Sequence, residues 1–169
     1  DEKIKKLAQE WGGKKEAYYF IGSGPNYATA QEVALKFKET NFEIAEGEDI
    51  EEMAHGPISL LDSDCVLITI APDGPAEKRA VDIVKAANVV GASTLVLSTK
   101  NSKACNEASD CLIFPDEVSE ITSPLVYVVP LYFLTYYIAL AKKVNPDLCR
   151  TDIPKYAKCL KLVFPKGSH

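Results

Sequence analysis

The sequence predicts an α/β domain: a doubly wound, mostly parallel sheet of about five strands, flanked by helices as an α-β-α sandwich. Three observations carry this. Ala17-Tyr18-Tyr19-Phe20-Ile21 and Cys65 to Ala71 are short, continuous apolar runs, the signature of strands buried on both faces. Between such runs lie segments whose apolar residues recur at helical spacing. The first run passes straight into Gly22-Ser23-Gly24-Pro25-Asn26 and a helical pattern, a strand–turn–helix that begins a βαβ unit.

Ile4, Leu7, Ala8 and Trp11 stand at i, i+3, i+4 and i+7, so 3–11 is predicted as a helix, closed by Gly12-Gly13. Strand 17–21 follows, then a helix over 27–40 with Ala30, Val33, Ala34 and Phe37 as its apolar stripe. Phe42–Ala45 reads as a short strand. An acidic stretch (Glu46, Glu48, Asp49, Glu51, Glu52) leads into His55-Gly56-Pro57. Then come strand 65–71, helix 75–90, strand 94–97, a short helix over 101–109 and a last strand, 112–114. Residues 123–143 make a long helix, with Pro124 suited to its first turn. That segment is apolar enough to raise a membrane question, but it carries Pro130, Thr135 and four tyrosines. It is expected to be a core helix, with no membrane partner. The tail, 145–164, reads as a loop-rich extension covering the site. Residues 1–164 thus form one domain, and 165–169, ending Gly167-Ser168-His169, read as a tag remnant. The chain opens on Asp1, so a longer natural chain stays open.

A length of 169 residues, 47% hydrophobic and 25% charged, suits one ordinary domain with a sizeable core. The formal net charge of -5 offers no basic surface for nucleic acid or an anionic membrane. The five cysteines (Cys65, Cys105, Cys111, Cys149, Cys159) are odd in number and lack a CxxC spacing. This argues against a disulfide framework and a zinc site, and for a reducing, cytoplasmic compartment. No metal or organic cofactor is implied.

Candidate chemistry gathers in three places. Gly22, Ser23 and Gly24 stand at the carboxyl end of the first strand, where α/β sheets receive ligands, although a tight turn would need the same glycines. Glu32, Lys36 and Glu39, at i, i+4 and i+7, share a helix face, a pattern that a solvated ion pair would also produce. His55, apart from the terminal His169, is the one histidine. A lone histidine is commonly structural, yet this side chain exchanges protons near neutrality.

Together these stretches form a wider pattern: Phe20-Ile-Gly-Ser-Gly-Pro-Asn-Tyr27, Ala34-Leu-Lys-Phe-Lys-Glu39, Ala45-Glu46, Glu52-Met-Ala-His-Gly-Pro57, Ser123-Pro-Leu-Val-Tyr-Val-Val-Pro-Leu131, Asn145-Pro-Asp147 and Ala157-Lys158. In order and spacing it resembles the sugar isomerase (SIS) domains, in the branch of the second SIS domain of glutamine–fructose-6-phosphate aminotransferase. The resemblance implies roles. Glu39 would move a proton between C1 and C2 in ketose–aldose isomerisation. His55 would help open the sugar ring, acting in a neighbouring subunit. Lys158 would form a Schiff base with the C2 carbonyl, and Lys36 would support the charge that develops. A carboxylate base, a histidine and an imine-forming amine make a coherent set.

The chain departs from that family in places. Glu51 and Ala54 replace a frequent glycine and lysine, and the tail is one residue shorter between Pro154 and Lys158. The turn after strand 65–71, Pro72-Asp73-Gly74-Pro75-Ala76, lacks the hydroxyls with which the first SIS domain of such enzymes holds phosphate. The implied function is therefore half of an isomerase site, lacking a glutaminase domain and a first SIS domain. Its partners would be a phosphorylated hexose or amino sugar and a second SIS domain, as a homodimer or otherwise. Half of a phosphosugar deaminase or deglycase, and a non-catalytic sugar-phosphate-binding domain, stand as alternatives.

Overall fold

The computed structural model describes residues 2–115 and 118–165. The terminal Gly167-Ser168-His169 lies outside the described residues. Among those described, five strands form one parallel sheet in the order β2-β1-β3-β4-β5. They are β1 (Ala17–Gly22), β2 (Ile44–Glu48), β3 (Cys65–Ile70), β4 (Ser93–Thr99) and β5 (Asp110–Phe114). The helices are α1 (Glu2–Trp11), α2 (Pro25–Lys36), α3 (Ile50–Met53), α4 (Glu77–Val89), α5 (Lys103–Glu107), α6 (Ser123–Ala141) and α7 (Pro154–Val163). A π turn, Phe37–Asn41, extends α2, and a 3-10 turn, Pro57–Leu60, follows α3.

Alternate residues of the strands serve two cores, as the period of a strand requires. Tyr18, Phe20, Val66, Ile68, Leu95 and Leu97 pack with α1, α2 and α6. Tyr19, Ile21, Leu67 and Val96 pack with α3 and α4 on the other face. The predicted stripe of α1 is buried in full: Ile4, Leu7, Ala8 and Trp11. α6 is, among the described residues, the one helix long and apolar enough to cross a membrane by length and composition. It buries Tyr127, Leu131, Leu134 and Ile138 in the first core, and leaves Leu125, Val129, Tyr132, Phe133, Tyr136 and Leu140 exposed.

Three expectations need correction. The tail is not loop-rich throughout, because Ile153, Tyr156, Ala157, Leu160 and Val163 recur at helical spacing and Pro154 opens α7. β2 begins at Ile44 rather than at residue 42, since the π turn consumes Asn41 and Phe42 takes a left-handed φ of 58°. Cys105 and Cys111 are joined as a disulfide: the chain reverses between α5 and β5, bringing their Cα atoms to 5.3 Å.

Tyr18 shows how tightly the first core is closed. Its hydroxyl donates to the Trp11 carbonyl at 3.2 Å. Burial, with a smaller contribution from the Glu43 carboxylate, pushes the phenol far above its usual 10. The folded chain thus holds this proton more tightly than the unfolded chain does. The resulting stabilisation is complete below about pH 10 and is lost as pH rises through the folded value. Melting temperature should therefore fall as pH rises above about 10, and Tyr18→Phe should flatten that slope. An identical slope in the variant would assign the alkaline loss to other groups.

Candidate functional site

α2 runs antiparallel to β1, so its two ends serve opposite edges of the sheet. Gly24 stands at the carboxyl edge and Glu39 at the amino edge, about 20 Å apart at the helical rise of 1.5 Å per residue. The predicted residues therefore fall into two groups within one chain.

At the amino edge, the helix widens where Thr40 turns its hydroxyl back onto the Lys36 carbonyl, at 2.8 Å. Such back-bonding loosens the regular ladder, and π turns are frequent where side chains do chemistry. Lys36 Nζ donates to Glu39 Oε2 at 2.7 Å and lies 3.7 Å from Glu32 Oε1. The Tyr132 hydroxyl of α6 donates to the same Glu32 oxygen at 2.7 Å. The hydrogen bond to Glu39 outweighs desolvation and holds the Lys36 ammonium above its ordinary pKa. The bond to Glu32 likewise raises the Tyr132 phenol. The cluster thus sets the Lys36 ammonium between the Glu32 and Glu39 side chains, closed by the Tyr132 phenol. Glu39 remains 40% exposed, open to a reactant. Beside it lies a depression of about 220 Å³ walled by Lys36, Thr40, Tyr132, Thr135, Tyr136 and Pro146.

Lys142, just past α6, anchors this turn. Its ammonium donates to the Asn41 carbonyl at 2.6 Å and pairs with the Glu43 carboxylate. The two side chains of that pair are only 17% and 11% exposed.

At the carboxyl edge, Gly22 and Gly24 have a structural reason to be there. A Cβ on Gly22 would stand 2.5 Å from the Asn26 carbonyl oxygen, and Gly24 takes a φ of 56° with ψ at -130°. Ser23 is half-buried between them. Asn26 Nδ2 donates to Ser123 Oγ at 2.7 Å, pinning the turn to the start of α6. The crevice between the ends of β1 and β3, where strand order reverses, holds a carboxylate. Glu120 Oε1 lies 3.4 Å from where a Gly24 Cβ would stand, and Oε2 lies 3.6 Å from the corresponding point on Gly74. With Asp73 in the same turn, this place repels an anion.

His55 also belongs to this edge, in the turn after α3, and on the opposite helical layer from Glu39. A carbonyl only accepts, so His55 Nδ1–H donates to the Glu51 carbonyl at 2.9 Å and Nε2 stays available. Arg79 of α4 holds the Glu51 carboxylate at both oxygens, with Nε at 2.7 Å and Nη2 at 2.8 Å. Lys158 is exposed on α7. Among the described residues, no hydrogen bond or ion pair joins His55 or Lys158 to the Lys36–Glu39 pair. No group of three or more His, Cys, Asp and Glu there could hold a metal ion.

The structure thus brings Lys36 to Glu32 and Glu39 as their spacing foretold, and adds Tyr132, Thr40 and Lys142. Nothing in local spacing marks Tyr132 or Lys142, which meet α2 and its turn across some hundred positions of sequence.

Residues 14–142 match the SIS domain family. The glutamine–fructose-6-phosphate aminotransferase (isomerizing) of Thermococcus kodakarensis is 35% identical over 147 residues, covering 87% of this chain and 24% of that protein. The chain spans about a quarter of the length of the curated relatives it matches. Among solved structures, the C-terminal domain of glucosamine-fructose-6-phosphate aminotransferase from Francisella tularensis superposes with a TM-score of 0.76 at 26% identity, over 86% of this chain and 41% of that one. The Vibrio vulnificus NanR protein complexed with ManNAc-6P shares the fold, with a TM-score of 0.71 at 14% identity, over 98% of this chain and 62% of that one.

Proposed function

The chain belongs to the SIS domain family, and from that premise we propose that it is one half of a sugar-phosphate isomerase site of the glucosamine-6-phosphate synthase type. The observation that carries this is the Glu39 carboxylate, presented from a π turn, half-exposed, 2.7 Å from the Lys36 ammonium. In the proposed reaction a fructose 6-phosphate carbonyl at C2 condenses with the Lys158 amine and loses water. Ammonia would then add to that C2 imine and displace the Lys158 amine by transimination, leaving the sugar imine free of the chain. Glu39 would take the proton from C1 and return one to C2, giving the 2-amino aldose, while Lys36 would stabilise the negative charge that builds between those events. His55, on the far edge and the other layer, would serve a neighbouring subunit by moving the ring-opening proton through Nε2.

The carboxylates at the β1–β3 crevice support assigning phosphate to a different SIS domain, either a second copy of this chain or another module. The charge-free, half-exposed face of α6 is the proposed pairing surface. Residues 1–164 would act as one such module, with the tail beside the amino-edge site, in the cytoplasm.

Calorimetric titration with glucosamine 6-phosphate, with mass measured by light scattering, tests the half-site. The chain alone should show no binding in the micromolar range. Micromolar binding by a homodimer would mean that two copies build a complete phosphate site, against the carboxylate-lined crevice.

A further inference from the structure

α7 carries Lys158, yet no residue of the helix is buried, and Leu162, Val163 and Phe164 stand 77%, 62% and 54% exposed. The face made by Tyr156, Ala157 and Leu160 is only half-buried, so apolar burial holds this helix weakly against the domain. The Arg150 side chain bridges the two. The Arg150 guanidinium lies 4.5 Å from the centroid of the Phe42 ring and 4.7 Å from that of Tyr156. Both are within cation–π range. It also donates to the Tyr156 hydroxyl at 2.7 Å, which fixes its plane.

The backbone bears the mark of this arrangement. Cys149 and Arg150 are successive non-glycine residues at positive φ, 43° and 62°, and Phe42 is a third at 58°. Side chains resist that conformation, so it persists where surrounding contacts enforce it. All three partners of the stack are half-buried. Phe42 closes the π turn that carries Glu39, and Tyr156 lies two residues before Lys158.

We propose that Arg150 is a latch: stacked between Phe42 and Tyr156, it positions the tail helix, and with it Lys158, against the Glu39-bearing turn. The latch is a property of the fold. Its consequence for Lys158 rests on the isomerase reading above. Lysine cannot replace arginine here, because the planar face makes both ring contacts at once.

Hydrogen exchange on the whole chain tests the latch without any sugar. Arg150→Ala should speed exchange of the amides in 154–163 by roughly tenfold or more, while those of β1 and β3 keep their protection. Arg150→Lys should behave like Arg150→Ala, and Phe42→Leu should also loosen α7. Native protection of α7 in Arg150→Ala, or its recovery in Arg150→Lys, would overturn the latch. Loosening by Arg150→Ala but not by Phe42→Leu would confine Arg150 to contacts within the tail and also overturn it. The positioning consequence has its own readout. In an assembly with a phosphate-binding SIS module, borohydride trapping of fructose 6-phosphate on Lys158 should slow by roughly tenfold in Arg150→Ala, with the pH dependence of trapping unchanged. Unchanged trapping beside a loosened helix would overturn the positioning role. Failure of the native chain to trap at Lys158 would overturn the Lys158 assignment, and hydrogen exchange alone would then decide the latch.

Discussion

Glu39→Gln should reduce ketose–aldose isomerisation by roughly 100- to 10,000-fold in an assembly of this chain with a phosphate-binding SIS module. The substitution keeps the shape of the side chain and leaves an amide oxygen that accepts from Lys36. The fold and the Lys36 contact should therefore survive, with circular dichroism and melting temperature close to native. What is lost is the capacity to take a proton from carbon, which an amide lacks. The readout is exchange of the C1 proton of fructose 6-phosphate with solvent deuterium, measured beside substrate affinity. Affinity should hold while exchange stops. Native exchange in the variant would remove Glu39 as the base and leave its pairing with Lys36 as a surface ion pair.

Lys142→Met should be the most damaging single change outside the apolar cores. It leaves the Glu43 carboxylate nearly enclosed without its partner, and the Asn41 carbonyl without the ammonium that caps it. Removing one member of a buried pair costs about 3–5 kcal/mol, and the lower end applies because water still reaches both side chains. About 3 kcal/mol corresponds to a fall of about 6–12 °C in Tm for a chain of this size. Adding Glu43→Gln should restore part of the loss, since it removes the stranded charge. If Lys142→Met melts within a degree or two of native, the pair contributes little and the turn is held by Phe37 and Thr40 instead.

How far these features could be read in advance depends on the distance over which each is determined. Ile4, Leu7, Ala8 and Trp11 announced α1, and the apolar runs at 17 and 65 announced β1 and β3, because burial on a regular element writes a period into neighbouring residues. The Lys36–Glu39 pair was legible for the same reason, being one turn apart on one helix. β2 was displaced because it is an edge strand interrupted by Glu46 and Glu48, so its alternation is short. α7 was missed because its apolar positions are at most half-buried and are diluted by lysines, although their helical spacing was there. Tyr132 and Lys142 were beyond reach: each matters through a partner that only the packing of α6 beside α2 supplies. The pairing of Cys105 with Cys111 was hidden likewise by a chain reversal that spacing alone does not record.

The anchoring of the Asn41 carbonyl and Glu43 by Lys142 also bears on when the molecule becomes competent. The two ends of that contact are 101 positions apart, and the intervening chain builds four more strands of a parallel sheet. Contacts of this kind form slowly, since the closure of a long loop precedes any gain from it. A nascent or refolding chain can complete the helical part of α2 early, but the Glu39-bearing turn stays unfastened until α6 has docked. The ordered turn and the finished fold should therefore emerge in the same kinetic step, so that a half-folded molecule is chemically silent.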